Sequence, residues 1–133
     1  MCEEVHQEVD FDAGPERIYR TYMDSEEHAA FSGEPAVISP DPGGPFTCWG
    51  GQILGRNIEL VRNRRIVQAW RVSAWPEGVY SVVRMELSAR GSGCRLVLSH
   101  TGIPAGSSSS IAQGWPQRYW ARMRAHVAGT HPR

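Results

Sequence analysis

The sequence predicts an α+β domain: a curved antiparallel sheet of six or seven strands, two short helices after the first strand, and a long C-terminal helix lying across the sheet. Three observations predict it. Short runs that alternate between apolar and polar residues follow one another with Pro/Gly turn signals between them, the pattern of hairpin-connected strands. The only segment long enough to cover such a sheet is the last, a helix of roughly 20 residues from about Ser108 to Val127. The lengths also match, because about 20 helical residues span about 30 Å and six or seven strands at about 4.8 Å spacing span about 24–29 Å.

The elements read in order. "EVHQEVDFD" (Glu4–Asp12) alternates, with Val5, Gln7, Val9 and Phe11 on one side, and predicts a half-buried strand. "AGP" breaks it. Pro15 and Glu16 suit the first turn of a helix whose apolar stripe is Ile18, Tyr19, Tyr22 and Met23. A second short helix follows, with Asp24 or Ser25 as its N-cap, Glu26 and Glu27 at its positive end and Gly33 at its stop. "PAVIS" is a short strand, "PDPGGP" a turn, and "FTCWG" and "GQILGRNIELV" are strands around Gly50–Gly51. "RRIVQAWRVSAW" (Arg64–Trp75), "VYSVVRMELSA" and "CRLVLSHT" are three more strands, separated by the turns "PEG" and "RGSG". "GIPAGSSSS" is a loop leading into the final helix. No internal repeat is present.

Phase assigns the inner face. Ile66, Gln68, Trp70, Val72 and Ala74 share one side of their strand, as do Val79, Ser81, Val83, Met85 and Leu87, and Leu96, Leu98 and His100. Arg71, Arg84, Glu86 and Arg95 take the opposite side. On a helical wheel at 100° per residue, Ile111, Ala112, Trp115, Tyr119 and Met123 cluster, Trp120 lies at the flank, and Gln113, Gln117, Arg118 and Arg124 face away. The rings of Trp115 and Tyr119 are therefore expected against the concave face. Pro116 interrupts this helix, and a proline in a helix interior costs about 3 kcal/mol. Either the helix starts near Gly114, with Pro116 in its tolerant first turn, or it kinks at Gly114–Pro116 around the sheet; the kink is the preferred reading.

The bulk numbers bound the function. The chain has 133 residues, enough for one domain that buries roughly two thirds of its unfolded surface. Residues 1–3 and 128–133 are expected to be frayed tails. The absence of a long apolar run excludes a helical membrane span, and the acidic start "MCEEVHQEVDFD" lacks a signal-peptide core, pointing to the cytoplasm. Cys2, Cys48 and Cys94 are read as reduced thiols. No Cys/His cluster suggests a metal, and no motif suggests a cofactor. There are 14 arginines, no lysine and zero net charge, with residues 1–50 at −9 and residues 51–133 at +9. The zero total argues against nucleic-acid binding, and the asymmetry can steer a charged partner.

Candidate functional residues follow from the inner face. Gln68, Trp70, Ser81, Val83 and Met85 from two strands, Leu98 and His100 from the next, and Trp115, Tyr119 and Met123 from the helix are the expected lining of a cavity between sheet and helix, if that space is open rather than filled. Such a lining, apolar with a few polar groups, suits a small hydrophobic ligand. His100 is the only histidine on the inner face of a predicted strand; it reads as a hydrogen-bonded histidine, or as a pocket group that orients a ligand or moves a proton. No carboxylate is placed beside it, and no Asp or Glu occurs from Cys94 to Arg133, so no Ser–His–Asp arrangement and no catalytic residue is assigned. His28 reads as solvated, and His6, His126 and His131 as outward or frayed. Trp75 is placed on the outer face beside "PEG", a possible protein contact.

"FDAGPERIYRTYMDSEEHAAFSG", "WRVSAWPEG" (Trp70–Gly78) and "GIPAG…QGWPQRYWARMR" (Gly102–Arg124) resemble the C-terminal domain of the Aha-type activators of the ninety-kilodalton heat-shock chaperone ATPase. The resemblance runs from Phe11 to Val127, with a departure at Pro116, where that pattern has a polar residue. It implies the START-like (SRPBCC) helix-grip fold, whose members enclose a cavity between last helix and sheet. It also implies a non-catalytic binding module, with chaperone co-regulation and a heat-shock chaperone partner, or a cyclase- or hydrolase-like enzyme using the same cavity, as alternatives. The two-domain activators make their main chaperone contact through a separate amino-terminal domain that these 133 residues do not match.

Overall fold

The computed structural model describes residues 2–129. The chain runs β1 (Cys2–Phe11), α1 (Pro15–Met23), α2 (Ser25–Ser32), β2 (Val37–Ile38), β3 (Pro45–Cys48), a 3-10 turn (Trp49–Gly51), β4 (Ile53–Val61), β5 (Arg65–Val72), β6 (Ser81–Arg90) and β7 (Gly93–Pro104). It ends with α3 (Ser108–Gly114), a π-helical turn (Trp115–Trp120) and α4 (Ala121–Gly129). One antiparallel sheet holds all seven strands in the order β1-β7-β6-β5-β4-β3-β2. Every connection except the one from β1 is thus to a spatial neighbour, and β1 closes onto the last strand. The helix-grip architecture expected from the sequence is present.

Local chemistry accounts for the boundaries. Pro15 opens α1, where its missing N–H is not needed. The Asp24 carboxylate accepts the Glu27 N–H at 3.0 Å and caps α2. Gly33, at φ 77°, ends α2 in the left-handed conformation that glycine adopts without strain. Cys2 and Glu3 are not frayed: they pair with Pro104 and Ile103. Glu3 also accepts the backbone N–H groups of Gly106 and Ser108, each at 3.1 Å, so a carboxylate on β1 holds the entry to α3. The helix likewise continues past Val127 to Gly129. Residues 1 and 130–133, with His131, lie outside the described residues.

The sheet's inner face follows the predicted phase. One transverse row reads Val5, His100, Val83, Gln68, Asn57, and the next Gln7, Leu98, Met85, Ile66, Leu60. Gly55 lies opposite Trp70 on β5 and Phe46 on β3. A Cβ there would come within 1.8 Å of the Ala69 carbonyl oxygen and 2.9 Å of the Phe46 ring, so only glycine allows the strands to approach this closely. The helices close over this face, and Ile18, Met85, Leu98 and Met123 are fully buried between the layers.

Pro116 neither starts a helix nor breaks one. The backbone stays right-handed helical at Gly114 and Trp115 and again at Ala121, whose N–H donates to the Pro116 carbonyl, five residues back. Where the sequence leads to the expectation of a kink, the chain makes a π turn, a one-residue insertion that rotates everything after it. Trp120, expected at the flank, is buried together with Trp115, Tyr119, Met123 and Val127.

Candidate functional site

The space between sheet and helix is largely filled, and hydrogen-bond chains run through it. In the first, the Trp115 indole Nε1–H donates to His100 Nδ1 at 3.1 Å. His100 Nε2 lies 2.7 Å from Ser81 Oγ, and that hydroxyl donates to the Trp70 carbonyl at 3.0 Å. Because Nδ1 accepts and the serine proton is committed elsewhere, the ring proton sits on Nε2. His100 is therefore neutral, satisfied and fully buried, and burial pushes its pKa down to about 3.

In the second chain, Tyr22 donates to Gln68 Oε1 at 2.9 Å, Gln68 donates to Asn57 Oδ1 at 3.1 Å, and Asn57 donates to the Ser39 and Asp41 carbonyls at 2.8 and 3.1 Å. It ties α1 through the core to the loop before β3. In the third, the Tyr119 hydroxyl accepts the Trp49 indole N–H at 3.1 Å and lies 3.1 Å from His28 Nε2. Either atom can donate in that contact, and the imidazole Nδ1 is buried with nothing to bond beyond the residue's own backbone. His28 is thus not solvated but fully buried, wedged against Phe31 and Tyr119 at 4.6 and 5.3 Å between ring centroids, because α4 packs over α2. Burial lowers its pKa to about 4.

An open cleft of about 240 Å³ remains at the β4–β5 end, where α3 meets the π turn. Its floor is Trp70, Val72 and Ile53, its roof Ile111, Gly114, Trp115 and Tyr119, and its rim Gln52, Ser110 and Arg118. Of the residues expected to line a cavity, only Trp70, Trp115 and Tyr119 do so. Gln68, Ser81, Val83, Met85, Leu98, His100 and Met123 are buried in packing and hydrogen-bond chains instead. The chain from Trp115 through His100 to Ser81 holds the helix against the centre of the sheet, and space remains towards the two edges: this cleft at one, and a shallower groove between Gln7, Glu8 and Val9 of β1 and Pro116, Trp120 and Arg124 at the other.

Three rim and floor residues are not marked by the sequence pattern, for clear reasons. Gln52 and Ile53 sit after a 3-10 turn in which Trp49, Gly50 and Gly51 all have positive φ (57°, 66° and 95°), so strand alternation gives no phase there. The helical wheel phases Arg118 outward, and it is exposed, but its guanidinium lies over the Trp49 ring, 5.4 Å from the centroid, at the cleft mouth. Trp75 is also corrected. It is half-buried, edge-on to Trp70 at 5.8 Å, because β5 ends at Val72 and the following turn folds the ring back.

The chemistry available here is limited. Burial raises the Cys48 thiol to about 12 and the Cys94 thiol to about 11, and pushes Tyr22 and Tyr119 well above the ordinary phenol value. Neither buried histidine charges near neutral pH. None of the ten residues lining the cleft carries a carboxylate, imidazole or thiol. Among the described residues no three His, Cys, Asp or Glu side chains are grouped to hold a metal, and no helix is long and apolar enough to cross a membrane.

Comparison with known proteins places this geometry. The chain is 34% identical over 110 residues to activator of 90 kDa heat shock protein ATPase homolog 1 of Homo sapiens, a match covering 83% of this chain and 32% of that protein. It is 31% identical over 126 residues to an uncharacterised protein of Schizosaccharomyces pombe, covering 95% of this chain and 37% of that one. The chain thus spans about a third of the length of these curated relatives. The crystal structure of an HSP90 activator from Plasmodium falciparum superposes with a TM-score of 0.86 at 27% identity, over 96% of both chains. A family model described as activator of Hsp90 ATPase homolog 1-like protein matches residues 12–128, and the chain belongs to that family.

Proposed function

We propose that this chain is a non-catalytic binding module whose aromatic cleft takes a small, largely apolar ligand. One observation carries the reading: the cleft is walled by Trp70, Trp115, Ile111, Ile53 and Val72, with polar groups only at its rim and no acid–base pair inside it. That is the usual composition of a small-molecule site. An acid–base enzyme needs two titrating groups within reach of one substrate, and the two interior histidines are neutral and committed to neighbours. The volume sets the ligand's size. A cavity of about 150 Å³ holds one benzene, so about 240 Å³ admits a single ring with short substituents.

Native mass spectrometry of freshly purified protein tests this. A bound small molecule is expected, and the variant Ile111→Trp, which fills the cleft, is expected to lose it. Protein that flies bare from several preparations, with Ile111→Trp indistinguishable from the parent, rules the reading out.

Family membership favours a second reading, co-regulation of a ninety-kilodalton heat-shock chaperone, since the relatives carry that activity in their names. Capture of such a chaperone by the tagged chain together with stimulation of its ATPase is the expected outcome. Failure of both assays removes it.

A further inference from the structure

The cleft has an electrostatic sign, and it is set at its mouth. Arg118 makes no ion pair or hydrogen bond among the described residues. The guanidinium of Arg122 lies over the same Trp49 ring, 5.3 Å from its centroid, and is anchored by donation to the Ser32 carbonyl at 3.4 Å. Two guanidinium groups therefore share one indole, and only Arg122 has a hydrogen-bonding partner. A guanidinium that lies over an aromatic ring and makes no hydrogen bond has its N–H groups to offer a planar, two-oxygen acceptor.

We propose that the cleft selects small apolar carboxylates: a single ring or short branched chain held between Trp70, Ile111 and Trp115, with the carboxylate on the N–H edge of Arg118. This rests on the binding-module reading and adds the ligand class to it. A monoanion fits better than a phosphate dianion, because one free arginine faces the mouth and Arg122 is already engaged. A neutral ligand of the same shape fills the same volume but leaves Arg118 and its like-charged neighbour uncompensated.

Titration calorimetry with 3-phenylpropionate and its uncharged amide, in low salt, tests the class. The carboxylate is expected to bind the parent chain about tenfold more tightly than the amide, the usual scale of one charge-assisted pair. Arg118→Gln is expected to bring the two compounds to near parity, and Arg118→Lys, which keeps the charge and loses the fork, to fall between. High salt is expected to weaken the carboxylate and leave the amide alone. Equal affinity for the two compounds in the parent chain, or an unchanged preference in Arg118→Gln, overturns the carboxylate class while the binding module stands. No heat from either compound, with no adduct in the mass spectrum, overturns both.

Discussion

The Gln7 side-chain amide donates to the Ala112 carbonyl at 2.8 Å, and Ala112 is the residue whose carbonyl Pro116, four positions on, has no N–H to satisfy. The same Gln7 accepts the Trp120 indole N–H at 2.7 Å. One glutamine on β1 thus supplies the donor that a helix proline removes and the acceptor that the π turn's last ring requires. The proline is tolerated mid-helix because Gln7, 105 positions before Ala112, answers the carbonyl it leaves open.

This pairing predicts a coupling. Gln7→Met leaves the Ala112 carbonyl and the Trp120 indole without partners, and is expected to cost about 1–2 kcal/mol in urea unfolding. Pro116→Ala restores an N–H that can satisfy Ala112 from within the helix. In that background the cost of Gln7→Met is expected to fall by about 1 kcal/mol. Strict additivity of the two changes is the outcome that contradicts the assignment.

The buried histidines predict how stability depends on pH. His28 and His100 titrate near 6.5 when unfolded but at about 4 and about 3 in the fold, because burial disfavours their charged forms. Folded pKa values below unfolded ones mean that the unfolded chain takes up protons first. Stability is therefore complete above pH 6.5 and is lost as pH falls towards 4, where His28 and then His100 charge in the fold as well. Each histidine contributes a slope of about 1.4 kcal/mol per pH unit in that window. Denaturation at pH 7.5, 6.5 and 5.5 is expected to show a plateau and then a steep loss. Imidazole carbon resonances of both residues are expected to remain neutral until the chain unfolds; titration of either near pH 6.5 in the native state contradicts the assigned hydrogen bonds.

Two glycines predict opposite outcomes. Gly114 is helical, at φ −67°, with nothing within 4 Å of an added Cβ. Gly114→Ala removes backbone freedom from the unfolded chain without a clash, and is expected to raise stability by about 0.5–1 kcal/mol. Gly55→Ala places a methyl against the Ala69 carbonyl, and is expected to cost about 4 kcal/mol or more, or to leave the chain insoluble. Thermal melts of both variants beside the parent check the pair.

The strands were legible because a period of two marks a face wherever one side is buried: Ile66, Gln68 and Trp70 fell where the alternation put them. Alternation misplaces Trp75 because β5 ends at Val72 and a turn follows. The helix aromatics are legible in the pattern, but a wheel fixed at 100° per residue has no place for a π insertion and puts Trp120 at the edge. The burial of His28 was not readable because α2 has almost no apolar asymmetry; the element that covers it, α4, begins at Ala121. Whether the space under the helix is open or filled depends on summed side-chain volumes and on partners far apart in sequence, such as Tyr22 with Gln68 and Trp115 with His100. Residue types alone do not fix that.

The chain through Gln68 supplies the sharpest test of a filled centre. Gln68, Asn57 and Tyr22 are 1%, 1% and 4% exposed, so water cannot replace a lost partner. Gln68→Leu keeps the approximate volume but strands the Tyr22 hydroxyl and the Asn57 carbonyl oxygen, and is expected to cost about 3 kcal/mol. Tyr22→Phe alone is expected to cost about 1 kcal/mol. Combined with Gln68→Leu it is expected to recover part of the larger loss, because the stranded hydroxyl is gone. If Gln68 faced an open, hydrated cavity, water would satisfy both groups and each single variant would lie within about 0.5 kcal/mol of the parent. The urea midpoints of these three variants therefore discriminate a polar spine holding α1 to the sheet from a wet pocket at the sheet's centre.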